Sequence, residues 1–305
     1  MGEGVEVWRG SVAAWECDIM GHLNVGFYVA RAMEGLVGLA AELGMPGAFS
    51  ANALSTLMVR EQHIRFMKEA HAGAALSMTG GVLEIGETDA RLSLVLRHHS
   101  GDIAASFQVL VAHVTAQEAR PFPWPGRVLE RAAALRVETP EGAGPRSIGV
   151  EPVQPRAGRE RADELGLLHL ATGAIDAGDC DEFGRMRPQR FMNRLSAGVP
   201  HLFASGRPGA ASGGPRIGGA ALEYRLIHLG WPRAGDRVEL RSGFAATDAR
   251  FRRVIHWLLD PTSGRPWGVA EAILVSLDLD ARKIHVLDDD ALAAVQAQVV
   301  PGLTL

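Results

Sequence analysis

A short phrase occurs twice in this chain. Cys17-Asp18-Ile19-Met20-Gly21 returns as Cys180-Asp181-Glu182-Phe183-Gly184, 163 residues later (181 − 18). Other echoes keep the same order. Ala72-Gly73 matches Ala234-Gly235, Thr88-Asp89-Ala90-Arg91 matches Thr247-Asp248-Ala249-Arg250, and Ser100-Gly101 matches Ser263-Gly264, at offsets of 162, 159 and 163. Four ordered echoes at a nearly constant offset mark an internal duplication. The period is far too long for a solenoid, so each copy is a domain. A chain of 305 residues, 47% of them hydrophobic, can bury two medium cores.

The first copy reads as a strand over Val5–Ala14, a polar loop, and a helix over Val25–Leu43. In the helix Phe27, Ala30, Met33, Val37 and Ala40 recur at helical spacing. Much of the rest is also small or apolar, which predicts a buried helix. Asn24 stands at the N-cap and Gly44 at the C′ position. Strand patterns follow at Leu57–Phe66, Ala75–Glu84, Ala90–His98 and Ala104–Thr115, divided by turn residues. One buried helix and several strands without intervening helices predict an antiparallel sheet packed on a helix, an α+β class.

The expected organisation is an N-terminal domain over 1–118, a connector over 119–165, a second domain over 166–290 and a tail over 291–305. The connector is rich in Pro, Arg, Gly and Ala, with a helical piece near Val128–Leu135. At that length it is expected to pack on a surface. The second domain should carry its own helix at about Pro188–Phe203, and Asp288–Gln298 reads as a capped terminal helix. The Gly-rich stretch 206–219 matches neither a phosphate loop nor a dinucleotide fingerprint and reads as a loop, in function a lid.

Composition excludes several classes. A net charge of −4 gives no global attraction to nucleic acid or anionic membrane. Two cysteines, Cys17 and Cys180, make neither a disulfide framework nor a zinc site by spacing, which fits a reducing cytoplasm. The opening MGEGVEVWRGSV lacks the apolar run of a signal peptide, and no uncharged stretch reaches the length of a membrane helix. No Gly-x-Ser-x-Gly elbow occurs. His98, His99 and His113 form no recognisable ligand set, so no metal and no cofactor are expected.

Chemistry concentrates in Asp18-x-x-Gly21-His22-x-Asn24-x-x-x-Tyr28, which opens the buried helix. An ionised Asp facing a helix N-terminus can activate water or attack a carbonyl. The helix start offers unpaired N–H groups and partial positive charge, a ready oxyanion site for acyl transfer. His22 can orient the acid or share its proton, and Gly21 allows the tight turn. The plainer readings are a turn residue for Asp18, a loop histidine for His22, an N-cap for Asn24, core packing for Tyr28 and small apolar filler for the cysteines.

Residues 18–28 resemble the signature of hotdog-fold acyl thioesterases of the 4-hydroxybenzoyl-CoA thioesterase type, in a tandem, bacterial-type form. The motif covers about ten residues, and the order of strands and helix fits nearly the whole chain. The resemblance implies two hotdog domains, each an antiparallel sheet wrapped around a long helix, packed as a pseudo-dimer. It implies hydrolysis of an acyl-CoA or acyl-carrier-protein thioester. Asp18 is then nucleophile or general base, and the Val25 amide, shared with Gly26, holds the thioester oxygen. Gly21, Gly26 and Tyr28 line the substrate. Since two copies pair in this fold, the tandem chain can meet that need internally, and a homodimer of tandem chains is a further option. The rival functions are a hydratase or dehydratase on the same fold and a non-catalytic acyl-CoA-binding module.

The second copy departs from the signature. Arg185 replaces His22, Arg187 replaces Asn24, Phe191 replaces Tyr28, and Pro188 stands at the oxyanion position. Proline has no N–H to donate, although it suits a helix start. One competent site is expected. The run Arg185, Arg187, Arg190 and Arg194 reads either as a solvated helix face or as a clamp for the phosphates of coenzyme A or a carrier's pantetheine arm. Arg60, Arg65 and Lys68 are weaker candidates for that clamp.

Overall fold

The computed structural model describes residues 4–204, 217–281 and 283–305. Most of the Gly-rich stretch read as a lid, 206–216, lies outside the described residues, while Ile217 to Gly219 begin a strand.

The first copy comprises β1 (Val5–Ser11), α1 (Val25–Glu42), β2 (Ser55–Phe66), β3 (Ala75–Ile85), β4 (Asp89–His98) and β5 (Ile103–Thr115). All pairings are antiparallel, in the order β1-β3-β4-β5-β2. The connector forms α2 (Gly126–Ala134) and α3 (Arg159–Glu164). The second copy comprises β6 (Leu168–Ala174), α4 (Pro188–Ala204), β7 (Ile217–His228), β8 (Arg237–Thr247), β9 (Phe251–Leu259) and β10 (Pro266–Asp278). A two-residue β11 (Lys283–Ile284) pairs with β10, and α5 (Asp289–Gln296) follows. The second set of strands runs β6-β8-β9-β10-β7, also antiparallel. Replacing each strand of the first set by its counterpart gives the second order strand for strand, so the sequence echo is a structural duplication. The echoed glycines mark turns: Gly73 and Gly235, like Gly101 and Gly264, sit at φ between 74° and 93°, where a side chain is strained.

The predicted strands and both long helices are present to within a few residues at each end. The first strand is shorter than expected, because the chain turns into a 3₁₀ segment at Ala14–Glu16. The face of α1 also differs. Its buried stripe is Tyr28, Val29, Ala32, Gly35, Leu36, Leu39 and Ala40, whereas Val37 is exposed and Phe27, Ala30 and Met33 are half-buried. The reason is close packing. A Cβ on Gly35 would meet Met78 Sδ at 2.4 Å, and one on Gly38 would meet the Val7 carbonyl oxygen at 2.3 Å. The helix turns Gly35 and Gly38 toward β1 and β3, where the absence of a Cβ allows the closest approach.

Two compact units result. One holds residues 1–145 and 177–193, the other 146–176 and 194–305. The second motif, with the start of α4, therefore folds with the first copy. The stretch between the copies divides between the units and bonds within each. In the first unit Val82 exchanges backbone bonds with Leu135 and Val137, and Ser106 Oγ donates to the Ala143 carbonyl at 2.6 Å. In the second, the buried Glu223 carboxylate accepts from the N–H groups of Arg146, Ser147 and Ile148. There Ile255, Trp257, Leu259, Val269 and Leu167 form a core closed by the tail's Leu303. Each fully buried side chain of this size contributes about 1.5–3 kcal/mol. Among the described residues no helix is long and apolar enough to cross a membrane.

Candidate active site

The Asp18 loop is built by its own backbone. The Asp18 N–H donates to the His22 carbonyl (2.8 Å) and the Gly21 N–H to the Asp18 carbonyl (3.0 Å). Asp18 Oδ1 accepts from the N–H groups of Met20 (2.8 Å) and His22 (3.1 Å). Gly21 takes φ +79° to close this turn. One carboxylate oxygen is thus committed to the loop, while Oδ2 of this half-buried residue makes no hydrogen bond among the described residues. The structure does seat Asp18 as a turn residue.

The loop feeds into α1 through Asn24. The Asn24 N–H donates to the Glu16 carbonyl at 2.9 Å, and its Oδ1 accepts from the Gly26 N–H at 3.0 Å, the N-cap expected. The Gly26 amide is therefore spent. Among the described residues no acceptor takes the Val25 N–H, which heads the helix at its positive end. Gly26 is buried for another reason. A Cβ there would fall 1.6 Å from Asn193 Oδ1 on α4, so glycine makes room for a side chain of the second copy.

Tyr28 is buried, packs edge-on against Phe66 with ring centres 5.2 Å apart, and accepts from the Ala70 N–H at 3.2 Å. Burial pushes its hydroxyl pKa up to about 12, with smaller contributions from the Glu69 and Asp18 carboxylates nearby. Its role is to hold the segment 69–71. That segment runs antiparallel to the loop: Leu23 N–H donates to the Ala70 carbonyl at 2.7 Å, and His22 bridges His71. Directly bridged residues project from one face, and so does the residue two along. His22 and His71 consequently stack edge-to-face at 4.8 Å, and His22 Nε2 lies 3.3 Å from Glu69 Oε2. His71 Nδ1 lies 3.2 Å from the Gly21 carbonyl. His22, Glu69 and His71 each present a ligand atom, all within 4.8 Å of one another. No motif assembles this group, because His22 is distant in sequence from Glu69 and His71 and no spacing rule joins them. Asn193 was missed for the same reason.

The second loop repeats the first. Asp181 Oδ1 accepts from the N–H groups of Phe183 and Arg185, both at 2.9 Å, and Gly184 takes φ +76°. Here Asp181 Oδ2 faces Arg185 Nε at 3.4 Å. The arginine run, read either as a solvated helix face or as a clamp, is engaged locally. Arg185 is buried, with its guanidinium over the Phe183 ring at 4.7 Å and donating to Met58 Sδ. Arg187 donates to the Gly178 carbonyl and faces Glu182, Arg190 pairs with Asp179, and Arg194 donates to the Ala174 carbonyl. Arg65 holds the connector at Gly144, and Lys68 pairs with Asp102.

The family model of the thioesterase-like superfamily matches residues 12–132 and again 175–295. The betainyl-CoA thioesterase of Pseudomonas aeruginosa is 30% identical over 148 residues, 45% of this chain and 89% of that protein. The bifunctional L-carnitine dehydrogenase/betainyl-CoA thioesterase of Rhizobium meliloti is 30% identical over 145 residues, 45% of this chain and 28% of that protein. Among solved structures, an acyl-ACP thioesterase from Bacteroides thetaiotaomicron superposes with a TM-score of 0.66 at 12% identity, covering 88% of this chain and 96% of that one. The 12:0-ACP thioesterase of Umbellularia californica gives 0.68 at 10% identity, covering 88% and 93%. At such identities the structural likeness speaks for the fold.

Proposed function

Since this chain belongs to the thioesterase-like superfamily, with its model matched once in each copy, we propose that it hydrolyses acyl-CoA thioesters at one site centred on Asp18. One observation carries the proposal. The loop consumes one Asp18 oxygen and, among the described residues, leaves both the other oxygen and the first N–H of the helix seven residues on, that of Val25, without a hydrogen-bond partner. Oδ2 activates a water or adds to the thioester carbonyl itself. On either route negative charge develops on the carbonyl oxygen, and the Val25 N–H stabilises it at the positive end of α1. The C–S bond then breaks and the thiolate takes up a proton to leave as free coenzyme A; on the direct route a water afterwards hydrolyses the acyl-Asp18 anhydride, which releases the acid and restores the carboxylate. Asn24 fixes the Val25 amide by capping the helix. His22 donates its backbone N–H to Asp18, and Gly21 supplies the turn that brings the two together.

Coenzyme A rather than a carrier protein is proposed because the relatives similar in sequence are CoA thioesterases. The loop at Asp181 is not a second site in this reading, because Arg185 pairs with its second oxygen and Pro188 has no N–H to give. Of the two arginines read as phosphate ligands, Arg185 is buried and Arg187 half-buried, which makes Arg187 the candidate for the phosphates. The test is thiol release over a panel of acyl-CoA and acyl-carrier-protein esters, with wild type beside Asp18→Asn. Turnover of CoA esters that the substitution abolishes is expected. Equal turnover by both folded proteins would overturn the assignment.

A further inference from the structure

We propose that His22, Glu69 and His71 form a binding site for a divalent transition-metal cation of the zinc class. The three side chains share one face because the backbone bridge His22–His71 and the Leu23–Ala70 hydrogen bond zip the two segments together. The Tyr28 hydroxyl, buried and bonded to the Ala70 N–H, anchors the second segment from behind. The placement is thus made by groups that are not themselves ligands.

The donor chemistry fits. Two imidazoles and one carboxylate are the three-ligand set of an open zinc site, with a fourth position left for water or a ligand atom of a bound molecule. Zinc ligands sit about 2.0–2.2 Å from the metal, so neighbours around a tetrahedral centre stand about 3.3–3.5 Å apart. His22 Nε2 and Glu69 Oε2 already meet at 3.3 Å. The three ligand atoms all lie within 4.8 Å of one another, and His71, the exposed member, is the one with room to adjust. The tautomer of that ring also fits. A backbone carbonyl only accepts, so in the neutral ring His71 Nδ1 carries the proton toward Gly21 and Nε2 keeps the lone pair. A ligating histidine that donates its other N–H to a backbone carbonyl is the usual outer-shell arrangement of metal sites.

The experiment titrates the tag-free full chain, first stripped with a chelator, with Zn²⁺ by calorimetry and with Co²⁺ by visible absorption. One equivalent of each ion should bind, and Co²⁺ should show the intense d–d bands of a low-coordinate site. His71→Ala and Glu69→Gln should each weaken binding by at least about tenfold, since loss of outer-shell partners alone costs 10–100-fold. Absence of saturable binding would overturn the site, and so would unchanged affinity in both variants. The inference does not rest on the thioesterase reading. A chain that binds Zn²⁺ here yet cleaves no thioester keeps the site and loses that reading, and one that cleaves but binds no metal does the reverse.

Discussion

The loops at Asp18 and Asp181 share one backbone. The aspartate N–H reaches the carbonyl four residues on, the glycine N–H reaches back to the aspartate carbonyl, and Oδ1 takes two amides, with every partner moved by 163 residues. What differs is what faces the second oxygen and what starts the helix. At Asp18 the oxygen is unpaired among the described residues and the helix begins with Asn24 and a free Val25 amide. At Asp181 a buried arginine faces the oxygen and the helix begins with Arg187 and Pro188. The same turn can therefore serve as a reaction centre or as a structural knot, according to two or three side chains around it.

Substitutions that carry one loop toward the other test this contrast. The largest effect is expected from Asp18→Asn, which keeps an oxygen for the loop amides but removes the base. It should lower kcat by roughly 10²–10⁴ with little change in Tm. A similar loss from Asp181→Asn would abolish the contrast. Next is Val25→Pro, which grafts the second loop's helix start onto the first. Asn24 already has the extended backbone that precedes a proline, at φ −66° and ψ 143°, so the helix should tolerate it. Loss of the amide should cost about 10²–10³ in kcat, the usual loss for one oxyanion donor. Circular dichroism checks that α1 survives.

Asp181→Ala should separate stability from activity. It leaves the buried Arg185 without its carboxylate and should destabilise by about 1–3 kcal/mol, read by urea unfolding, while thiol release stays near wild type. A fall in kcat matching that of Asp18→Ala would argue for a shared site. Gly26→Ala should cost a comparable 1–3 kcal/mol by overpacking against Asn193. Adding Asn193→Ala should recover most of that loss, and simple additivity in the double-mutant cycle would exclude the contact. The smallest effect is capping. Asn24→Ala should cost about 1 kcal/mol, whereas Arg187→Ala, which removes no cap, should cost less.

Much of the fold could be read before the structure because duplication and periodicity are local and repeat. Strand alternation, the caps at Asn24 and Gly44, and the turn glycines each follow from a few adjacent residues. The packed face of α1 was misread because its closest contacts run through Gly35 and Gly38, which carry no hydropathy signal. The site divides in the same way. Asp18, Asn24 and Val25 lie within one turn and one helix start, so the motif holds them together. Glu69, His71 and Asn193 arrive by tertiary pairing. Arg185 was read as part of a solvated face or of a clamp because charge ordinarily implies exposure, and nothing in the local sequence announces the Phe183 ring and the Asp181 oxygen around it.

The grouping of residues 177–193 with residues 1–145 has a consequence for synthesis. A ribosome delivers the chain from its N-terminus. When residue 145 has emerged, the first compact unit still lacks its last segment, which completes only at residue 193. That is a further 48 residues (193 − 145), about 2–10 s at typical rates of 5–20 residues per second. Over that interval the nascent first half waits with Gly26 uncovered. A stop codon between the copies would make this incomplete state permanent.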